Sequence, residues 1–188
     1  NDYNLPNDII LMQENPNFEI LWTYKDTKAL KNYNPTNGKY PDIPIIVLGD
    51  DIIFSKNLVE TCYNDYLKTD KKTVLCARLK NNNGLLIPHR IRLFPPHCMY
   101  NVDENDFKYF NNHNDLFYAV RLKINNTNIQ KMNWEKLFNE KTEFAQDVRL
   151  KYINIFNDKI NTEYDTYQMY INEIHPEFKD LIKNEFDK

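Results

Sequence analysis

The apolar positions of this chain come in short runs separated by stretches rich in asparagine, lysine and proline. Ile43-Pro44-Ile45-Ile46-Val47-Leu48 is nearly continuous in apolar residues, the pattern of a strand covered on both faces. Gly49-Asp50-Asp51 follows, then Ile52-Ile53-Phe54, and Ser55 reads as the cap of a helix running to about Lys68. Leu58, Val59, Cys62, Tyr63 and Tyr66 form one stripe at helical spacing. Thr73-Val74-Leu75-Cys76-Ala77 is a second apolar strand. Strand, helix and strand in succession predict a βαβ unit and an α/β domain.

The flanks are less regular. A short helix is expected around Ile9–Met12, and a strand over Phe18–Thr23, where aromatic and branched residues follow the turn residues Asn15-Pro16-Asn17. Asp26 to Asn34 reads as a helix closed by Pro35, with Asn37-Gly38 as a turn. Asn81 to Met99 holds an asparagine run and three prolines and reads as irregular. Asp103 to Tyr109 and Asp115 to Lys123 read as helices, the second turning Leu116, Ala119, Val120 and Leu122 to a core. Asn128 to Met132 is a short strand candidate. From Trp134 the chain reads as helical in pieces, with Phe144, Val148, Tyr152 and Ile155 on one face and a break at Pro176.

Composition narrows the class. The chain has 188 residues, enough for one domain with a proper core. Its 41% hydrophobic and 14% aromatic content argues against global disorder despite a mean hydropathy of −0.71, which owes much to 28 asparagines. Basic and acidic residues, 24 and 27, are interspersed to a net charge of −3, so no basic stripe favours nucleic acid. No apolar run approaches the roughly 18–20 residues of a membrane-spanning helix. Cys62, Cys76 and Cys98 are odd in number and form no CxxC pair, which speaks against a disulfide framework and for a cytoplasmic location.

Candidate chemistry begins at the carboxyl end of the first strand, where ligands of open α/β sheets gather. Asp50 and Asp51 stand there, and adjacent carboxylates suit a hard cation such as Mg²⁺ holding a diphosphate. On spacing alone, two acids that simply solvate a strand-to-helix turn are the commoner case. Asp115 opens a helix and is either a general base or an acid favoured by the helix dipole. His97, between Pro96 and Cys98, is a weaker candidate metal ligand. Cys98 has no evident partner base.

In combination these pieces resemble bacterial nucleotide-sugar-dependent glycosyltransferases of the GT-A fold from capsule and surface-polysaccharide synthesis. Gly49-Asp50-Asp51-Ile52-Ile53-Phe54 after an apolar strand is similar to that family's Asp-Asp-Asp-Ile-Ile-Tyr, its form of the DxD motif. Cys76-Ala77-Arg78 resembles its Cys/Ser-x-Arg, and Leu93-Phe94-Pro95-Pro96 its Leu-Tyr-Pro-Pro turn. His113-Asn114-Asp115-Leu116-Phe117 looks like its Ala-Asp-Asp-Ile-Trp, and Phe18 to Trp22 with Lys25 to Lys31 resembles the segment ahead of DxD. The likeness covers roughly residues 5–135, leaving 136–188 as a helical C-terminal extension of a single domain.

The resemblance implies a mixed sheet flanked by helices and transfer of a sugar from a UDP-sugar to a glycan hydroxyl. It implies Mn²⁺ or Mg²⁺ on Asp51 with Asp50, and Asp115 as the base. No nucleic-acid partner is expected, and peripheral membrane association would suit such an enzyme. The family's first βαβ has no counterpart before Leu5, so the expectation is either that residues precede Asn1 or that an aromatic-rich element, the Tyr-rich tail from Tyr164 to Phe178, covers the sheet edge. Gly49 and Asn114 each stand where the family has an acid, which supports an alternative: a non-catalytic GT-A-like module binding glycan or a partner.

Overall fold

In the computed structural model, residues 5–23, 28–49, 52–82, 85–99 and 114–139 are described. Helix α1 spans Asn7–Met12 and α2 Asn34–Lys39, with a 3-10 turn at Lys28–Asn32 before α2. Strands β1 (Ile45–Val47) and β2 (Ile53–Phe54) lead to α3 (Leu58–Leu67). Strands β3 (Val74–Asn82) and β4 (Leu85–Phe94) follow, then α4 (Asn114–Ile124) and β5 (Ile129–Lys131). A 3-10 turn at Glu135–Leu137 runs into β6, Phe138–Asn139.

The main sheet has the order β1-β4-β3-β5. β4 is antiparallel to both β1 and β3, and β3 is parallel to β5, so the sheet is mixed, as expected. β1 and β3 therefore run in the same direction, and β4 is inserted between them. The strand–helix–strand unit is present in this split form. No described helix is long and apolar enough to cross a membrane.

Two cores cover the sheet. Ile45, Val47, Val74 and Phe94 join Leu116, Phe117, Val120 and Leu122 of α4 and Leu30 and Tyr33 on one face. Leu75, Ala77, Ile91 and Leu93 join Leu58, Cys62 and Tyr66 of α3 and Trp134 on the other. Ile46 and Leu48 pack against this second core, so consecutive residues of the β1 run go to opposite sides. That is why the run is continuously apolar.

Several expectations are corrected. Within 81–99, expected to be irregular throughout, 81–82 end β3 and 85–94 form the longest described strand, while 95–99 are irregular as expected. Only Asn83-Gly84 separates Asn82 from its partner Leu85, and Asn-Gly is a strong hairpin signal. Pro88 is tolerated because β1 pairs only with residues 92–94, which leaves one side of β4 free of a ladder there. Phe18–Thr23 forms no strand. It is tied down through Glu19, which pairs with Lys39 and accepts a 2.9 Å hydrogen bond from the Tyr40 hydroxyl, rather than through a sheet edge.

Pro35 does not close a helix but sits in the first turn of α2, where its missing N–H is no loss. Asn37-Gly38 belongs to that helix. Ser55 does not cap α3, whose flanking Asn57 makes no side-chain cap either. Val59 and Tyr63 are exposed, leaving Leu58, Cys62 and Tyr66 as the buried stripe. Residues 138–139 pair with β2 rather than continuing helically. The expected helix at 103–109 and the segment 140–188, with Phe144, Val148, Tyr152 and Ile155, lie outside the described residues.

Trp134 closes the α3 side. It is 1% exposed, and its Nε1 donates to Asp65 Oδ2 of α3 at 2.9 Å. Trp134→Ala is expected to lower unfolding stability by about 3–5 kcal/mol, the cost of emptying a large aromatic site. Trp134→Phe should lose about 1–3 kcal/mol through the unpaired Asp65 oxygen and the smaller ring. Urea titration checks both, and an alanine variant of wild-type stability would contradict this packing.

Candidate functional site

Register determines where the candidate residues meet. β1 pairs Ile45 with Phe94, Ile46 with Leu93 and Val47 with Arg92. Beyond Val47 the chain continues through Leu48 and Gly49 in the direction of Ile91, Arg90 and His89 on β4. Asp50 and Asp51 come next and lie outside the described residues. The chain on either side of them is held, by the β1–β4 ladder before and the β2–β6 pair after. The Ser55 amide also donates to the Leu137 carbonyl at 2.8 Å.

Beside this exit, a β-bulge alters β4. Cys76 pairs with Arg92 and Arg78 with His89, so one residue of β3 stands opposite two of β4. Arg90 accommodates the extra residue at φ 68°. In an unbroken strand, residues 85, 87, 91 and 93 would share a face. Here Leu85 and Ile87 enter the α4-side core, while Ile91 and Leu93 enter the other. The bulge therefore turns His89 and Arg92, three residues apart, to the same side.

Asp115, in the first turn of α4, meets both. Its Oδ1 pairs with Arg92 Nη1, and its Oδ2 accepts from His89 Nδ1 at 2.6 Å. The Arg92 side chain is 6% exposed and lies 5.0 Å from the centre of the Tyr118 ring. Burial pushes the Asp115 carboxyl up. The His89 hydrogen bond and the Arg92 and Lys80 charges outweigh that, and hold it below the ordinary 3.8. The result is an ionised carboxylate with both oxygens engaged, one that accepts a proton less readily than a free one. Its first-turn position also suits the helix dipole. Neither His89 nor Arg92 stands out in the sequence, since an odd spacing on a strand signals opposite faces.

His97 does not join this group. It lies at φ 59°, and its Nε2 is 2.8 Å from Asp42 Oδ1. Pro96, His97 and Cys98 after β4 line a cleft of about 760 Å³ with Asp70, Lys71 and Lys72 before β3 and residues 125–128 after α4. Those segments mark the opposite end of the sheet from the start of α4. Many of the cleft's polar groups are engaged within the chain. Asn125 Nδ2 and Thr127 Oγ1 donate to the Cys98 carbonyl at 3.0 and 3.4 Å. We therefore locate the candidate chemistry at Asp115. Among the described residues no three His, Cys, Asp or Glu side chains cluster as metal ligands.

The three cysteines are free and buried, and burial pushes each thiol up to about 12. They are core residues, not nucleophiles. Set against known proteins, the chain matches no family model, no curated protein and no solved structure. The site is accordingly read from its own geometry.

Two outcomes are expected. Asp115→Ala leaves the Arg92 charge buried without its carboxylate and should cost about 3 kcal/mol at pH 7, the lower end for a broken buried pair because Asp115 is partly exposed. A depressed carboxyl contributes stability above its unfolded value and loses it as pH falls through the folded value. The gap between wild type and variant in urea should therefore close below pH 3.8. An equal gap at acid and neutral pH would contradict the pairing. Separately, a thiol reagent at pH 8 should label the native protein far more slowly than the urea-unfolded chain. Rapid native labelling would place a cysteine at the surface.

Proposed function

We propose that the protein is a metal-dependent glycosyltransferase that moves a sugar from a UDP-sugar to a glycan hydroxyl in cytoplasmic synthesis of surface polysaccharide. The observation that carries this reading is a convergence. The strand that delivers Asp50-Asp51 pairs directly with Arg92, and Arg92 holds Asp115. The end of β1 and the start of α4, more than sixty residues apart in the chain, are thus joined through Arg92, and Asp50-Asp51 follow that strand end in the sequence, the end where α/β folds take ligands.

Asp51 with Asp50 would hold the metal. Two neighbouring carboxylates are a hard oxygen donor set of the kind Mg²⁺ and Mn²⁺ take, so the residues present fit the group. When bound, the ion supplies positive charge against the departing diphosphate. The chain's own part is to hold Asp115 and its partners rigidly beside the acceptor.

A second reading, a non-catalytic GT-A-like module for glycan or a partner protein, draws on a specific observation. Both oxygens of Asp115 are engaged by Arg92 and His89, and its carboxyl is held low. Gly49 and Asn114 remove two further acids from the pattern.

Calorimetry separates the two. Mn²⁺-dependent UDP binding is expected in the wild type and lost in Asp51→Ala, with unchanged circular dichroism. Asp50→Ala should be milder. Undiminished binding in Asp51→Ala would contradict the metal assignment, and a full-length protein, with any segment upstream of Asn1 included, that binds no UDP would favour the non-catalytic module.

A further inference from the structure

The cleft at the other end of the sheet has no part in the transferase reading. Its volume, about 760 Å³, lies in the range of ligand pockets. It is open to solvent, since Asp70, Lys71, Lys72, His97, Asn126 and Asn128 of its lining are exposed. Tyr66 and Pro96 add apolar surface. Three loops form it, one between α3 and β3, one after β4 and one between α4 and β5. Each contributes a residue in the left-handed region, Lys71 at φ 59°, His97 at φ 59° and Asn126 at φ 51°. Asn enters that region readily, whereas Lys and His do so at a cost that the surroundings must hold. Only four non-glycine residues among those described have such a backbone, and three of them line this one cleft.

Hydrogen bonds to backbone groups hold the walls. Asp70 Oδ1 accepts from the Lys72 and Thr73 amides at 2.8 and 2.9 Å, and Thr69 Oγ1 from the Lys71 amide at 3.1 Å. The Cys98 carbonyl accepts from Asn125 and Thr127, which ties the loop after β4 to the loop after α4. His97 Nε2 lies 2.8 Å from Asp42 Oδ1. These contacts leave four side chains over. Among the described residues no hydrogen bond engages the ammonium groups of Lys71 and Lys72 or the carboxamides of Asn126 and Asn128. The cleft is therefore formed in advance, with its donors uncommitted, which lowers the cost of ordering it around a ligand.

The uncommitted groups define the ligand. Two ammonium groups against the one carboxylate of Asp70 leave a surplus of a single positive charge in the lining. That suits one carboxylate better than a phosphate group, which carries about −1.5 to −2. A carboxamide offers donors and an acceptor together, the match for hydroxyl groups that do both. We propose that the cleft binds a saccharide bearing a carboxylate, with the acid on Lys71 and Lys72 and the hydroxyls on Asn126 and Asn128. The proposal needs neither Asp50-Asp51 nor Asp115. The 11 residues of α4 set its two ends roughly 15 Å apart, so a single sugar unit does not fill both this cleft and the space at Asp115. The cleft is a separate grip on an acidic glycan, whether the protein transfers sugar or only binds it.

Calorimetry on the full chain, without metal or nucleotide, tests it with two pairs that differ by an acidic group: cellobiouronic acid with cellobiose, and sialyllactose with lactose. At least one acid is expected to bind about tenfold or more tighter than its neutral partner, the weight of a charge-assisted hydrogen bond. Its binding should weaken as salt rises, and its amide shifts in NMR should centre on Lys71, Lys72, Asn126 and Asn128. Lys71→Gly and Asn126→Gly remove a side chain while keeping the left-handed backbone, and each should weaken the acid several-fold. Should either unfold, Lys72→Met replaces it, at an exposed position without that backbone. Acids that bind no better than their neutral partners, shifts centred elsewhere, or folded variants with wild-type affinity overturn the proposal. Tighter binding of glucose 6-phosphate or triglutamate than of both acids also overturns it, by giving the cleft to a phosphate or an acidic peptide. Mn²⁺-dependent UDP binding is measured in parallel. UDP binding without saccharide binding overturns this proposal alone, and saccharide binding without UDP binding upholds it while counting against the transferase reading.

Discussion

The described structure turns on a buried guanidinium. Arg92 lies in the middle of the sheet, between β1 and β3 and beneath α4, where an uncompensated charge would cost several kcal/mol. Asp115 supplies the countercharge from the first turn of α4, and the Tyr118 ring of the same helix lies against the guanidinium. Helix, strand and charge are thereby coupled. α4 cannot shift along the sheet without leaving Arg92 unpaired, and β4 cannot slip without removing Arg92 from Asp115. Tyr118 strengthens the arrangement by packing on Tyr33 and Phe94 and donating its hydroxyl to Asn32.

The bulge is the device that makes this possible. Side chains alternate faces along a strand, so His89 and Arg92 would diverge in a regular β4. One extra residue, taken up by Arg90 in the left-handed region, exchanges the faces midway. The apolar residues change sides as well, with Leu85 and Ile87 on one core and Ile91 and Leu93 on the other. The same irregularity thus keeps both cores filled and gathers two nitrogenous side chains around one carboxylate, beside the exit of β1.

Much of the frame was legible in the sequence, for identifiable reasons. The run Ile45 to Leu48 reads as a strand because both faces of the sheet are covered, and α4 reads as a helix because Leu116, Ala119, Val120 and Leu122 recur on its core side. β4 was hidden by Pro88, Pro95 and Pro96, although Asn83-Gly84 is itself a hairpin signal. Phe18 to Trp22 has strand composition without a strand partner, which no local pattern reveals. Of the site, Asp115 was visible as a helix-opening acid, but its partners were not. Their meeting depends on a bulge and on a pairing register, and both are tertiary facts. The contribution of Asp50 and Asp51 rests on their position after β1, since they lie outside the described residues.

The central claim is that the end of β1 and the Arg92–Asp115–His89 cluster form one site. Paramagnetic broadening by Mn²⁺ tests it most directly, with UDP present and the resonances of the protein assigned. The account predicts selective broadening at Gly49, His89, Arg92 and the first turn of α4. Lys71 and Asn126, at the opposite end of the sheet, should stay sharp. Broadening centred on Lys71 and Asn126, or none at His89 and Asp115 while Gly49 broadens, would contradict a shared site.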